Sequence, residues 1–285
     1  MKLASFRDDT GGTWGLVEEA GVRLAPAALR TRFPDLRSVL AVGALPEISG
    51  WLGAAPLCDP WSLRFAPLIP NPVRILCVGI NYREHIHEMG WESPAYPTLF
   101  TRFPDSVVGH GEPIVRPRLS GQFDYEGELA IVIGKPARYV RAAKALDYVA
   151  GYTCFLDGSV RDWQRHTTQF IPGKNFPATG GCGPWLSTTD EIPDPALLRL
   201  VTRVNGEVLQ SAPVSDLCFD VPRIIEYCSS FCVLNPGDII ATGTPSGVGA
   251  ARTPERWLKP GDAVEVEISG IGILRHNVID EAPMS

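Results

Sequence analysis

The run Asp124-Tyr125-Glu126-Gly127-Glu128-Leu129-Ala130-Ile131-Val132-Ile133-Gly134 constrains this 285-residue chain more than any other segment. Its second half is wholly apolar and reads as a strand. Side chains alternate along a strand, so the carboxylates at i and i+2 project from one face. Acids gathered on one face repel, and placing them together costs stability unless a cation or solvent compensates; a hard divalent ion with oxygen ligands is the usual compensation. The competing reading is an edge strand whose acidic face meets water, since acidic residues are mostly exposed.

A chain of this length exceeds the usual size of one domain, which suggests a full domain with a smaller one attached. With 45% apolar and 20% charged residues the composition is that of an ordinary globular protein. The net charge of −6 and the lack of any basic run argue against nucleic acid as a partner. No stretch approaches the roughly 18 apolar residues that span a bilayer, and the start shows no signal-peptide apolar region, so no membrane partner is expected and a cytoplasmic location is. Seven cysteines at irregular spacings, with no Cys-x-x-Cys pair, suit reduced core thiols better than a zinc or disulfide framework.

Residues 1 to about 55 mix strand-like pieces (Lys2 to Phe6, Thr13 to Val17, Val22 to Leu24) with a helical stretch near Leu36 to Val42. Pro56, Pro60, Pro67, Pro70 and Pro72 then read as a connection, which places a small N-terminal α/β domain and linker at 1–70 and the main domain at 71–285. From Val73 onward, short β-rich runs bounded by Gly, Pro, Asn and Asp dominate, so the fold class is α+β and mainly β. The clearest hairpin is Thr202 to Leu209, where Asn205-Gly206 supplies the two positive φ angles of a type I′ turn. Leu234 to Asp238 and Leu258 to Asp262 share an x-Pro-Gly-Asp turn that leads into a strand. Short helices are expected at Tyr82 to Met89, Ser159 to His166 and Val221 to Cys232.

Further segments carry chemistry. Asp157 sits where an apolar strand ends and a helix is expected to begin, a good ligand position and equally a common helix N-cap. Arg161 and Gln164, three apart, share a helix face and could present donors to a bound carboxylate, although each residue type is mostly a surface one. His85 and Glu88 are also three apart; a carboxylate beside an imidazole makes a general base near neutral pH. A metal site from His85, His87 and Glu88 is a rival, but the spacing is not His-Glu-x-x-His, and such residues also commonly form a solvated helix face. Lys174 lies in a turn-rich stretch, and the loop Thr242-Gly-Thr244-Pro-Ser-Gly-Val-Gly249 could bring backbone N–H groups to an anion, without the ending of a nucleotide-binding loop.

Taken in order, Gly-x-Asn-Tyr-x-x-His-x-x-Glu, Asp-Tyr-Glu-x-Glu-Leu, Asp-x-Ser-x-Arg-Asp-x-Gln, Gly-Lys-Asn-Phe, Val-Asn-Gly-Glu and Thr-Gly-Thr-Pro-x-Gly-Val-Gly resemble the catalytic domain of the fumarylacetoacetate hydrolase family over about Val73 to Val278. The resemblance implies a mixed β-roll or barrel catalytic domain and a homodimer. It implies Glu126, Glu128 and Asp157 as ligands of Mg²⁺ or Mn²⁺, His85 and Glu88 as a catalytic pair on a mobile lid, and Lys174 near the reacting oxygen. Arg161, Gln164 and Thr244 match pocket residues. Many relatives read Leu-Phe-x-Lys-Pro where this chain has Leu99-Phe100-Thr101-Arg102-Phe103-Pro104, so Arg102 is expected either against a distal substrate group, where its fork mildly favours a diacid, or on the surface.

The family's handle is a small 2-oxo acid, which the metal polarises as a Lewis acid. The resemblance favours hydrolysis of the C–C bond of a 2,4-dioxo acid of acylpyruvate or fumarylpyruvate type, as in aromatic catabolism. Decarboxylation of an oxaloacetate-like acid and keto–enol isomerisation are the alternatives on the same scaffold, and a non-catalytic ligand-binding protein is the alternative in another class.

Overall fold

The computed structural model describes residues 1–7, 11–88, 90 and 92–283. Its frame is a large mixed sheet. In spatial order it runs from the N-terminal strands Gly21–Leu24, Thr13–Glu18 and Lys2–Arg7 through Gly180–Thr188, Val149–Leu156, Gly127–Ile133, Ile239–Ala241 and Ile75–Gly79 to Thr98–Arg102. A second sheet of five strands places Glu207–Pro213, Arg199–Val204, Ala263–Ile268, Gly272–Asp280 and Ile114–Arg116 side by side. Neither sheet closes on itself into a barrel among the described residues.

The acidic strand Gly127–Ile133 is central, not an edge: it pairs with Val149–Leu156 on one side and Ile239–Ala241 on the other. That position explains its apolar run. Leu129, Ile131 and Ile133 enter one hydrophobic core, and Ala130 and Val132 enter a second on the opposite face. A strand buried on both faces needs apolar residues at every position.

The N-terminal strand Lys2–Arg7 pairs with Gly180–Thr188, setting Lys2 opposite Ser187 and Leu3 opposite Leu186. The second core is shared accordingly: Leu3, Trp14, Val39 and Ile48 from the first fifty residues pack with Ala130, Val132 and Phe155.

Local expectations hold where the signal is local. Asn205 and Gly206 take φ of 54° and 81° in the hairpin between Arg199–Val204 and Glu207–Pro213. In both Pro-Gly-Asp turns the aspartate takes a hydrogen bond from the backbone of the turn's first residue, Asn235 N to Asp238 and Lys259 N to Asp262, each 2.8 Å. The helix Val221–Phe231 buries Val221, Ile224, Ile225 and Cys228 and is capped by Asp220, which accepts from Arg223 N. The helix expected from Tyr82 to Met89 spans Arg83–Glu88; Met89 lies outside the described residues. One helix is shorter than expected. Ser159–Val160 is a strand paired with Phe123–Asp124, and helix begins only at Arg161–Gln164, because pairing with a distant segment overrides the local helical pattern.

Candidate active site

The β-ladder assembles the acids. Glu128 lies opposite Phe155, and one step further Asp157 N donates to Glu126 O at 2.8 Å, so the two glutamates and Asp157 share the face that carries Ala130 and Val132. Their ligand atoms all lie within 4.8 Å of one another, and all three side chains are buried. Gly127 between the glutamates has a packing reason: a Cβ there would collide with the Thr202 hydroxyl of the second sheet.

Cations surround these acids. Lys174 Nζ reaches Glu126 Oε2 at 2.5 Å and Asp157 Oδ2 at 2.6 Å. Arg161 contacts Asp124 at 2.8 Å and Glu126 Oε1 at 2.6 Å, and gives a further hydrogen bond to Gln164 Oε1 at 2.9 Å. Burial alone would raise the Glu126 carboxyl, but the charges of Arg161 and Lys174 hold it well below the usual range. Glu128 goes the other way. Burial, then the charges of Asp157 and Glu126, push it well above the carboxylate range, with the Gly243 N–H at 2.8 Å opposing the shift.

Four buried carboxylates, Asp124, Glu126, Glu128 and Asp157, thus face three buried cations, Arg102, Arg161 and Lys174, a deficit of one positive charge centred on Glu128. An all-oxygen donor set with uncompensated negative charge fits a hard divalent ion of the Mg²⁺ or Mn²⁺ kind. With such an ion the site would carry one excess positive charge, which suits a carboxylate ligand.

The second component is the helix Arg83–Glu88. His85 Nδ1 lies 3.0 Å from Glu88 Oε2, and Glu88 Oε1 accepts from Gly247 N at 2.9 Å. Burial would raise Glu88, yet the hydrogen bonds from His85 and Gly247 and the charges of His85 and Arg252 hold it below its ordinary value. His85, Glu126, Glu128, Asp157, Arg161, Gln164, Lys174 and Thr244 all line one cavity, about 430 Å³ of empty space including its mouth, whose apolar wall includes Val78, Ile80, Phe100 and Phe170. Thr244 is partly spent: its hydroxyl donates to Gly127 O at 2.9 Å and accepts from Gln210.

Two expectations need correction. Arg102 lies neither at the surface nor in the cavity wall: its side chain is fully buried, and its N–H groups are spent on protein acceptors including Asp157 Oδ1 at 2.6 Å. The glycine loop does bring N–H groups to anions, but these are the protein's own carboxylates: Gly243 binds Glu128, Gly247 binds Glu88, and Gly249 and Ala250 bind Asp124.

Sequence reasoning missed three residues. Asp124, without an expected role, ties the glycine loop to Arg161. Gln210 accepts from Gly127 N and donates to Thr244 and Pro245 O, joining the hairpin to the acidic strand. Asn81, with no exposed surface, donates to Thr242 O at 2.7 Å and Phe219 O at 3.0 Å and accepts from Phe219 N, anchoring the start of the helix Arg83–Glu88. Beside it Ile80 sits at φ 59°, a conformation that costs a β-branched residue about 1–3 kcal/mol. Buried polar residues in apolar strands and at strand ends were the available signal.

A sequence model described as fumarylacetoacetate (FAA) hydrolase, C-terminal, matches residues 74–279. The chain belongs to the fumarylacetoacetate hydrolase family. Within that family it is 44% identical over 214 residues to the oxaloacetate tautomerase YisK of Bacillus subtilis, covering 74% of this chain and 71% of that protein. It is 36% identical to a solved fumarylacetoacetate hydrolase from Exiguobacterium antarcticum, with a TM-score of 0.87 over 99% of this chain and 100% of that one. A maleylpyruvate hydrolase from Sphingobium sp. SYK-6, solved in complex with manganese(II) and pyruvate, is 30% identical, with a TM-score of 0.82 over 99% of this chain and 100% of that one. The family thus holds hydrolases and tautomerases on one scaffold, and divalent-metal binding accords with the buried acidic triad of this member.

Proposed function

We propose that this chain is a divalent-metal-dependent enzyme that interconverts the keto and enol forms of a small 2-oxo acid of the oxaloacetate class. The observation that carries the reading is a single cavity lined both by the triad Glu126, Glu128 and Asp157 and by His85 paired with Glu88. The oxaloacetate tautomerase relative supports the choice of reaction.

A divalent ion held by Glu126, Glu128 and Asp157 supplies, when bound, a Lewis acid that polarises the keto oxygen and acidifies the neighbouring carbon. His85 moves the proton. Glu88 accepts from Nδ1–H, which fixes the tautomer whose Nε2 takes a proton from C3 and returns one to the oxygen on C2. Lys174, kept protonated by Asp157 and Glu126 against the effect of burial, stabilises charge developing on that oxygen. Arg161 and the amide N–H groups of Gln164, whose carboxamide oxygen is taken by Arg161, orient the substrate carboxylate.

The likeness to a maleylpyruvate hydrolase solved with manganese and pyruvate favours a second reading, C–C hydrolysis. There His85 would activate water toward the C4 carbonyl of a 2,4-dioxo acid, releasing pyruvate and a carboxylic acid. The homodimer implied by the sequence resemblance belongs to the proposal as well, and light scattering tests it.

The ultraviolet absorbance of enol-oxaloacetate follows the first reaction; coupled lactate dehydrogenase follows pyruvate release from an acylpyruvate or from oxaloacetate. The expected result is Mn²⁺-dependent loss of the enol signal that His85→Ala and Glu126→Gln abolish. Pyruvate release from an acylpyruvate with no effect on the enol signal selects hydrolysis, and release from oxaloacetate marks decarboxylation. Wild-type rates in both variants without metal would overturn the assignment.

A further inference from the structure

We propose that Arg102 is a positioning residue for the metal site, fixing Asp157 so that its carboxylate presents to the ion in one orientation. The inference rests on the reading of Glu126, Glu128 and Asp157 as metal ligands. Its basis is a complete match between donors and acceptors. A guanidinium offers five N–H groups in a planar fork. Arg102 directs Nε to Ser106 Oγ at 3.2 Å, Nη1 to Asp157 Oδ1 at 2.6 Å and Gly158 O at 3.0 Å, and Nη2 to Ser106 O at 3.1 Å and Thr179 Oγ1 at 2.8 Å.

These acceptors come from three places in the chain: the turn that follows the strand Thr98–Arg102, the corner after Val149–Leu156, and the entry to Gly180–Thr188. The guanidinium therefore holds the Asp157 carboxylate and its own neighbouring peptide at Gly158 at once. Asp157 Oδ2 is held by Lys174, so each oxygen already carries one cation-borne hydrogen bond, and the side chain has no freedom to rotate. The close packing is specific, because a Cβ at Gly180 would meet Arg102 Cζ at 2.8 Å. A lysine here would keep the charge but supply only three donors, without the fork.

The test is Mn²⁺ affinity by isothermal titration on the full chain, with thermal melting alongside. Arg102→Met is expected to weaken Mn²⁺ binding about 10–100-fold, the range found when outer partners of metal ligands are removed. Arg102→Lys, which keeps a cation beside Asp157, serves if the first variant does not fold, and is expected to weaken binding by roughly threefold or more. A double-mutant cycle separates positioning from bulk stability: in an Asp157→Asn background the additional effect of Arg102→Lys should nearly vanish. A folded Arg102 variant with a lowered melting temperature but wild-type Mn²⁺ affinity would overturn the proposal while leaving the metal site intact. A wild-type chain that binds no Mn²⁺ would overturn both.

Discussion

At the residue scale, Glu128 is where stability and the proposed metal ligation oppose each other. Its folded pKa is raised, so its own contribution to the stability of the metal-free chain is fully present below the ordinary glutamate range and is lost as pH rises through the raised value. Glu128→Gln keeps the Gly243 hydrogen bond while removing the charge, so it should raise the melting temperature of the metal-free chain by a few degrees, at roughly 2 °C per kcal/mol. Metal affinity should fall in the same variant. A calorimetric scan showing a lower melting temperature would mean that the cations already balance the site. On the proposed mechanism His85 serves proton transfer alone, so His85→Asn should cost about 10²–10⁴ in turnover with Mn²⁺ affinity within a few-fold of wild type. Joint loss of turnover and metal affinity would instead make His85 a ligand.

At the element scale, the strand Gly272–Asp280 carries a buried histidine. His276 Nδ1 lies 2.7 Å from Glu112 O, and burial, with the charge of His110, pushes its pKa down to about 4 despite that bond. Folding therefore binds the neutral ring, and the unfolded chain takes up the extra proton between about pH 6.5 and 4, so stability falls with pH through that window. From pH 7 to 5 the loss is about 2 kcal/mol by linkage. His276→Asn, which can still donate to Glu112 O, should flatten that slope in urea titrations at the two pH values; an unchanged slope would assign it to other groups. Legibility from the sequence divides along similar lines. Asn205-Gly206 and the helix Val221–Phe231 were readable because turn chemistry and apolar spacing act locally. The pairing of Glu126 and Glu128 on one face was readable for the same reason, and the family resemblance supplied Asp157. Ser159–Val160 was not, since its strand pairing with Phe123–Asp124 is long-range. Nor was the place of Arg102: an arginine in a short strand is ordinarily solvated, and only the meeting of Ser106, Asp157 and Thr179 shows where its charge is used.

At the scale of the whole molecule, the N-terminal segment and the site share one sheet and one core. Lys2–Arg7 covers the edge of Gly180–Thr188, and that strand in turn supports Val149–Leu156 and the corner bearing Asp157. A chain starting at residue 71 should expose this edge and the apolar side of Leu186, and aggregate on expression, as unprotected edges do; a soluble, metal-binding truncation would show that the segment is dispensable. Ligand linkage extends across the same core. Mn²⁺ at a hundred times its dissociation constant should stabilise the chain by about 2.7 kcal/mol, and a chelator should remove that gain. The most direct measurement is titration of Mn²⁺ into chelator-treated wild-type chain and into Glu128→Gln. One ion per chain with affinity at least about a hundredfold weaker in the variant, the loss of a buried charged ligand, is the predicted result. Equal affinity in the two proteins, or no binding to either, would contradict it.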